Sequence, residues 1–155
     1  MTSHMHPTRV SGFSLVELIV TLVLLGILAA VAVPQLAATQ VFDRIGFADR
    51  TLAMLQYGQK SAVAMRRQVC ASFTATTATL TYSPVFPPAA CNTNLTGPSG
   101  ENPYTVTATG NAAYAAAPAN FSFDPLGQAS IPQTINFSGG GRTVTVEADT
   151  GYVHY

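Results

Sequence analysis

Gly12-Phe13-Ser14-Leu15-Val16-Glu17-Leu18 runs directly into an apolar segment that ends Ala32-Val33-Pro34, and the reading of this stretch decides the rest. From Leu18 to Phe42 there are 25 residues without one Asp, Glu, Lys or Arg. As a helix they would cover about 38 Å at ~1.5 Å per residue. A hydrocarbon core is ~30 Å thick, so the segment is long enough to span it. A single carboxylate, Glu17, stands at the upstream edge, behind a short polar leader.

That leader, residues 1–12, contains Arg9, His4 and His6 but no apolar run of its own. A secretory signal places its apolar core before the cleavage site. Here the cleavage candidate precedes the apolar segment, so cutting would leave that segment on the product. Arg9 and the start amine favour a leader on the cytoplasmic side, while Arg44 and Arg50 beyond the span weaken the charge-asymmetry argument. His4 and His6 carry little weight as a metal pair, because they fall in the segment expected to be removed.

The pattern from Gly12 to about Pro34 resembles the class III signal of type IV pilins and type II secretion pseudopilins. The resemblance implies cleavage between Gly12 and Phe13, N-methylation of Phe13, and an apolar helix that becomes a filament core. It also gives Glu17 a role, pairing with the Phe13 amine of a neighbouring subunit and so setting axial register. The plainer alternative is an interfacial Glu at the end of a signal anchor, since a carboxylate deep in a bilayer costs ~2.5–3.5 kcal/mol. Gly26 and Pro34 are helix-weakening residues within the span. They stand for a simple kink or, by the resemblance, for a stretch that loosens on assembly.

The 155 residues give one anchor and one small domain. Charged residues make up 9% and the net formal charge is zero, which favours neither nucleic acid nor an acidic partner. The charges are unevenly placed. Between Asp43 and Val69, Arg44, Arg50, Lys60, Arg66 and Arg67 face two acids, Asp43 and Asp49. Beyond Cys70, Arg142 alone faces Glu101, Asp124, Glu147 and Asp149. Either solvated faces or packing between copies accounts for such a division.

Past Pro34 the helix should continue over 40–69. Val41, Ile45, Ala48, Leu52 and Leu55 step as an apolar stripe requires, followed less regularly by Ala62, Met65 and Val69. From Cys70 onward the character turns to β. Strand patterns occur at Thr79–Tyr82, Tyr104–Thr107, Phe121–Phe123, Thr134–Phe137, Thr143–Glu147 and Tyr152–Tyr155, separated by Pro- and Gly-rich turns. Residues 83–100 read as a long loop, residues 111–118 are alanine-rich and undecided, and the last third reads as an antiparallel meander. Cys70 and Cys91 are candidates for one disulfide in an oxidising periplasm, the alternative being two buried thiols. Two cysteines without clustered histidines cannot complete a zinc site.

Phe121-x-Phe-Asp-x-x-Gly127, a hairpin, and then Thr150-Gly151-Tyr152-Val153 resemble the globular domain of H-type pseudopilins and FimT-like minor pilins. Some of the latter are implied in DNA binding through basic residues of a C-terminal loop. The positions to consider here are Arg142, with Lys60, Arg66 and Arg67 if they lie nearby. Phosphate binding needs several cations together, and the acidic balance after Cys70 argues against nucleic acid as a partner.

No catalytic constellation is present: no nucleophile elbow, phosphate loop, HExxH or paired CxxC occurs. His154 is the only histidine outside the leader. No cofactor, metal or enzymatic activity is expected.

The expected fold is α+β and pilin-like. Its parts are a leader at 1–12, a membrane or filament-core helix at 13–39, an amphipathic helix half at 40–69, and a β-rich periplasmic domain at 70–155. The expected function is a structural, minor subunit of a pilus or secretion pseudopilus, held in the bacterial inner membrane before assembly. Its expected partners are prepilin peptidase, other pilin-type subunits and an inner-membrane assembly platform. The alternatives are a DNA-binding subunit of an uptake pilus and an anchored periplasmic domain that never polymerises.

Overall fold

The computed structural model describes residues 12–155, with the side chains of residues 31–39 excepted. The expected leader therefore lies outside the described residues as far as residue 11. One long helix, α1 (Leu15–Met65), is followed by eight strands. They are β1 (Val69–Phe73), β2 (Thr77–Tyr82), β3 (Thr93–Asn94), β4 (Thr105–Thr107), β5 (Phe121–Phe123), β6 (Gln133–Asn136), β7 (Thr143–Val146) and β8 (Val153–His154). The layout is α+β and pilin-like, an N-terminal helix followed by antiparallel sheets. The chain divides into two units, residues 1–38 and 39–155, and α1 contributes to both.

In the first unit α1 passes Gly26 without interruption, and its span takes in Pro34. The Pro34 side chain lies outside the described residues. Among the described residues, no helix is long and apolar enough to cross a membrane. The expected span of 13–39 includes nine positions, 31–39, whose side chains are among those left out.

In the second unit, helix residues Phe47, Ala48, Thr51, Met54, Leu55, Gly58 and Ala62 are buried. They recur at the three- and four-residue steps that keep one helical face inward. This face is rotated from the expected stripe: Val41 and Ile45 are exposed, and Phe47, Thr51, Met54 and Gly58 take the centre. The helix also stops earlier than residue 69. Arg66 adopts φ 50°, and the Arg67 amide donates to the Ala62 carbonyl at 3.1 Å, a left-handed cap that ends the helix. Val69, expected as the last turn of the stripe, instead opens β1.

The first sheet runs β3-β2-β1-β5, with β4 sharing the edge of β2 that β3 also uses. The second runs β6-β7-β8. The expected meander therefore begins one strand later: β5 leaves it to pair with β1, Val69 opposite Phe123. Both sheets contribute to one core. Leu80 and Phe123 from the first, and Ile135, Val144, Val146 and Val153 from the second, are almost completely buried with the inward helix face.

Aromatic rings join the parts. Phe47 lies 4.8 Å from Tyr114 and 5.5 Å from Phe137, between ring centroids. Tyr114 in turn meets Phe73 of β1 at 5.8 Å. These tilted and edge-on pairs are the preferred aromatic arrangements. Tyr114 belongs to the alanine-rich stretch, which forms a single bridge to Phe137. Its hydroxyl pairs with buried Thr51 at 3.2 Å, and burial pushes its pKa up to about 12.

Candidate functional site

The first candidate region is the start of α1. Ser14 precedes the first helical residue and Glu17 lies in the first turn. Ser-x-x-Glu at these positions is the sequence form of a capping box, in which the two residues serve unpaired amides at the helix start. A carboxylate there also interacts favourably with the positive end of the helix dipole. The Leu18 amide donates to the Ser14 carbonyl at 3.2 Å, so helical hydrogen bonding starts at Ser14. The Ser14–Glu17 spacing was visible in the sequence and supplies a reading that the family resemblance alone does not.

Every large apolar side chain from Phe13 to Leu28 is half exposed or more, on all sides of the helix. A helix that is apolar all round belongs in a core or a membrane. Free in water, a surface of this kind exceeds what monomeric soluble proteins expose, so it calls for lipid or other chains to cover it. Gly12 and Phe13 lie just ahead of the helix, exposed and in extended or irregular backbone. A cleavage enzyme needs such accessible, non-helical chain.

The cysteines meet. Cys70 of β1 and Cys91 are joined by a disulfide with 21 residues of sequence separation, and their Cα atoms are 6.1 Å apart. The bond ties the loop after β2 back to the middle of the first sheet. β3 lies just beyond Cys91 and pairs with Thr81 and Tyr82, so the expected long loop contains a short strand.

Of the candidate cations, Lys60 and Arg66 do not meet Arg142. Arg142 Nη1 lies 2.6 Å from Asp49 Oδ1, and its guanidinium sits over the Tyr155 ring at 4.7 Å. The Tyr155 hydroxyl also donates to Asp49, which closes a three-residue clasp. These contacts raise the Arg142 pKa, the bond with Tyr155 contributing most and the Asp49 charge next. Lys60 lies eleven residues further along α1 than Asp49, and Arg66, just past the helix end, lies seventeen residues beyond it. At ~1.5 Å per residue those offsets are about 16 and 26 Å. Lys60 borders Tyr152 and Val153, and Arg66 borders Phe86 and Leu126. The cation that does stand beside Arg142 is Arg44, which lines the same small cavity. Nothing in the sequence pairs positions 44 and 142, because the pairing depends on how the β6–β7 turn falls over the helix.

His154 is exposed. Its Nε2 is 3.4 Å from Glu147 Oε1, and its ring stacks on Tyr152 at 5.0 Å. The Tyr155 backbone oxygen and then Glu147 raise its pKa. Among the described residues no three His, Cys, Asp or Glu side chains gather as a metal site.

Residues 7–33 match the family description of the prokaryotic N-terminal methylation motif. No curated protein and no solved structure matches the chain.

Proposed function

From a chain that carries the N-methylation signal of type IV pilin-like and pseudopilin precursors, we propose a minor structural subunit of a type IV pilus or type II secretion pseudopilus. Prepilin peptidase cuts between Gly12 and Phe13 and the new amine of Phe13 is methylated. The product is held in the inner membrane by the apolar part of α1, with residues 70–155 in the periplasm. An assembly platform then passes it into a filament, where copies or related subunits cover that helix.

The observation that carries this reading is the conjunction of the motif at 7–33 with a helix whose apolar residues are exposed on every side. A signal motif alone fits an anchored domain equally well. An uncovered apolar helix running without a break into a folded α+β unit supplies both an assembly element and the domain it would display. In this reading Glu17 offers its carboxylate to a neighbour's Phe13 amine. A charge buried among apolar helices is tolerated only when paired, so the pairing fixes one axial position among many.

The test is the intact mass of membrane-extracted protein made with and without an active prepilin peptidase. The expected product begins at Phe13 and carries one added methyl group. An unprocessed N-terminus in the presence of active peptidase overturns the reading. If processing occurs, Glu17→Ala should leave cleavage intact and abolish recovery of the subunit in sheared filaments. Unchanged filament recovery would remove the register role while leaving the subunit assignment in place.

A further inference from the structure

In the loop that follows β2, residues 84–90 are exposed in succession and carry no polar side chain. The loop is held at both ends. Ser83 is fully buried, and its hydroxyl donates to the Val85 carbonyl at 3.3 Å and accepts from the Ala89 amide at 3.1 Å. Cys91 then ties the chain to β1 through its disulfide with Cys70. A loop fixed in this way loses little freedom when something binds to it. Phe86 remains 69% exposed and Leu126 80%. With Val63 and Pro125 they line an open groove of about 690 Å³ beside the end of α1. Large apolar side chains gathered on the surface of a folded unit mark an interaction site.

Arg66 is the one charged residue of that lining, and its backbone is held at a cost. It has φ 50° and, among the described residues, is the one non-glycine residue with positive φ. Its amide donates to the Val63 carbonyl and the Arg67 amide to the Ala62 carbonyl, the paired bonds of a cap in which glycine is usual. Arginine in this conformation is destabilising where glycine is not. Outliers of this kind persist where the residue has a use. Neither Arg66 nor Arg67 has a carboxylate within ion-pair distance among the described residues. Asp124, next to Pro125, is committed to its own turn, accepting from the Leu126 and Gln128 amides at 2.9 Å each. Aromatic side chains and arginine are enriched in protein–protein interfaces, where they carry much of the binding energy.

Charge also decides what fits. Elsewhere in this unit the exposed apolar residues Val41, Phe42 and Ile45 lie beside Arg44, and the adjacent Asp43 is engaged by Thr109. A second copy docking through those residues would bring arginine towards arginine with no free carboxylate between them. We propose that the groove docks a segment of a different protein in which an apolar side chain is flanked by carboxylates. The apolar side chain fills the space between Phe86 and Leu126. A carboxylate pairs with the Arg66 guanidinium, whose planar fork matches its two oxygens. All of these residues belong to the unit of residues 39–155, so the proposal holds whether or not the chain enters a filament.

The test is an NMR titration of the full-length chain in zwitterionic micelles with a blocked peptide, Glu-Leu-Leu-Glu, at constant ionic strength. Gln-Leu-Leu-Gln and Lys-Leu-Leu-Lys serve as controls. The expected result is a saturable shift of the Val63 and Leu126 methyl groups and the Phe86 ring with the glutamate peptide. The glutamine peptide should bind about tenfold more weakly and the lysine peptide not at all. Arg66→Gly should hold or raise the urea midpoint, since glycine suits the cap, while removing the preference for glutamate over glutamine. A merely structural arginine would leave that preference intact. Leu126→Ser, at an exposed position, should abolish binding of every peptide. No saturable shift, equal binding of the three peptides, or a glutamate preference that survives Arg66→Gly overturns the proposal. Self-association that Leu126→Ser removes would put a second copy in the groove, and saturation by phosphatidylglycerol added to the micelles would put lipid there; either overturns it equally.

Discussion

Two glycines in one helix should respond in opposite ways to the same added methyl group. Around Gly46 an added Cβ meets nothing within 4 Å. At Gly58 it would sit 3.2 and 3.3 Å from the two Leu80 methyl carbons and 3.6 Å from Phe123 Cε2. Replacing an interior helical Gly with Ala stabilises by about 0.8–1 kcal/mol through propensity alone. Gly46→Ala should realise that gain in full. Gly58→Ala carries the same gain but forces Leu80 back into a filled core, and overpacking costs about 1–3 kcal/mol. The net at Gly58 is a loss of up to about 2 kcal/mol, so the two variants should differ by about 1–3 kcal/mol. The assay is urea unfolding of the full-length chain in detergent, followed by the near-ultraviolet signal of the tyrosines, with equal slopes required for the comparison. Equal stabilisation by both substitutions would refute the packing of β2 and β5 against this helix face.

The disulfide and the C-terminal hairpin give further expectations. Replacing Cys70 and Cys91 together by Ser should lower stability by about 3 kcal/mol, the loop-entropy value for a closure of this size, and leave β1 and β2 paired; an unchanged urea midpoint would show that the bond constrains little. The raised His154 pKa means that protonation stabilises the fold. The contribution is complete below the ordinary histidine range and is lost as pH rises through the elevated folded value. A proton NMR titration should place His154 above an unfolded-chain histidine, and Glu147→Gln should bring it down. An unmoved midpoint in Glu147→Gln would remove Glu147 as a cause.

The sequence announced the helix because an uncharged apolar run admits few alternatives, and most strands because Thr–Val and Phe–Ser alternation marks half-buried pleats. What it hid follows from local ambiguity. The buried face of the helix centres on Thr51 and Gly58, a polar and a small residue that an apolar stripe passes over. Thr51 is tolerated there by its bond to Tyr114, itself in a stretch with no strand or helix pattern. Val69 continued the helical spacing and so concealed the start of β1, while the true stop at Arg66 has no Gly, Asn or Pro to mark it. β5 reads as the neighbour of β6 because chain neighbours usually pair, but Val69 and Phe123 bring it to β1 across more than fifty residues. At the candidate sites, Gly12, Phe13 and Glu17 were legible as a contiguous motif. Arg44 beside Arg142 was not, since that pairing arises only when a turn almost a hundred residues later closes over the helix.

The helix that opens the folded unit is completed by the residues that end it. Gln56 Nε2 donates to the Val153 carbonyl at 3.0 Å, 97 residues away, and Gln59 reaches Thr150 at 2.8 Å. Contacts of such long sequence separation close large loops before they return any stabilisation, and they slow folding. While the chain is being made, the helix face around Thr51 to Ala62 exists early but has nothing to rest on. Tyr152 to Tyr155 must arrive before β8 can join β7 and the face is fully covered. A chain stalled before Tyr152 would therefore display an apolar surface, one that chaperones and proteases can read as unfinished. Pairing of β8 with β7 therefore decides which molecules have this helix face fully covered.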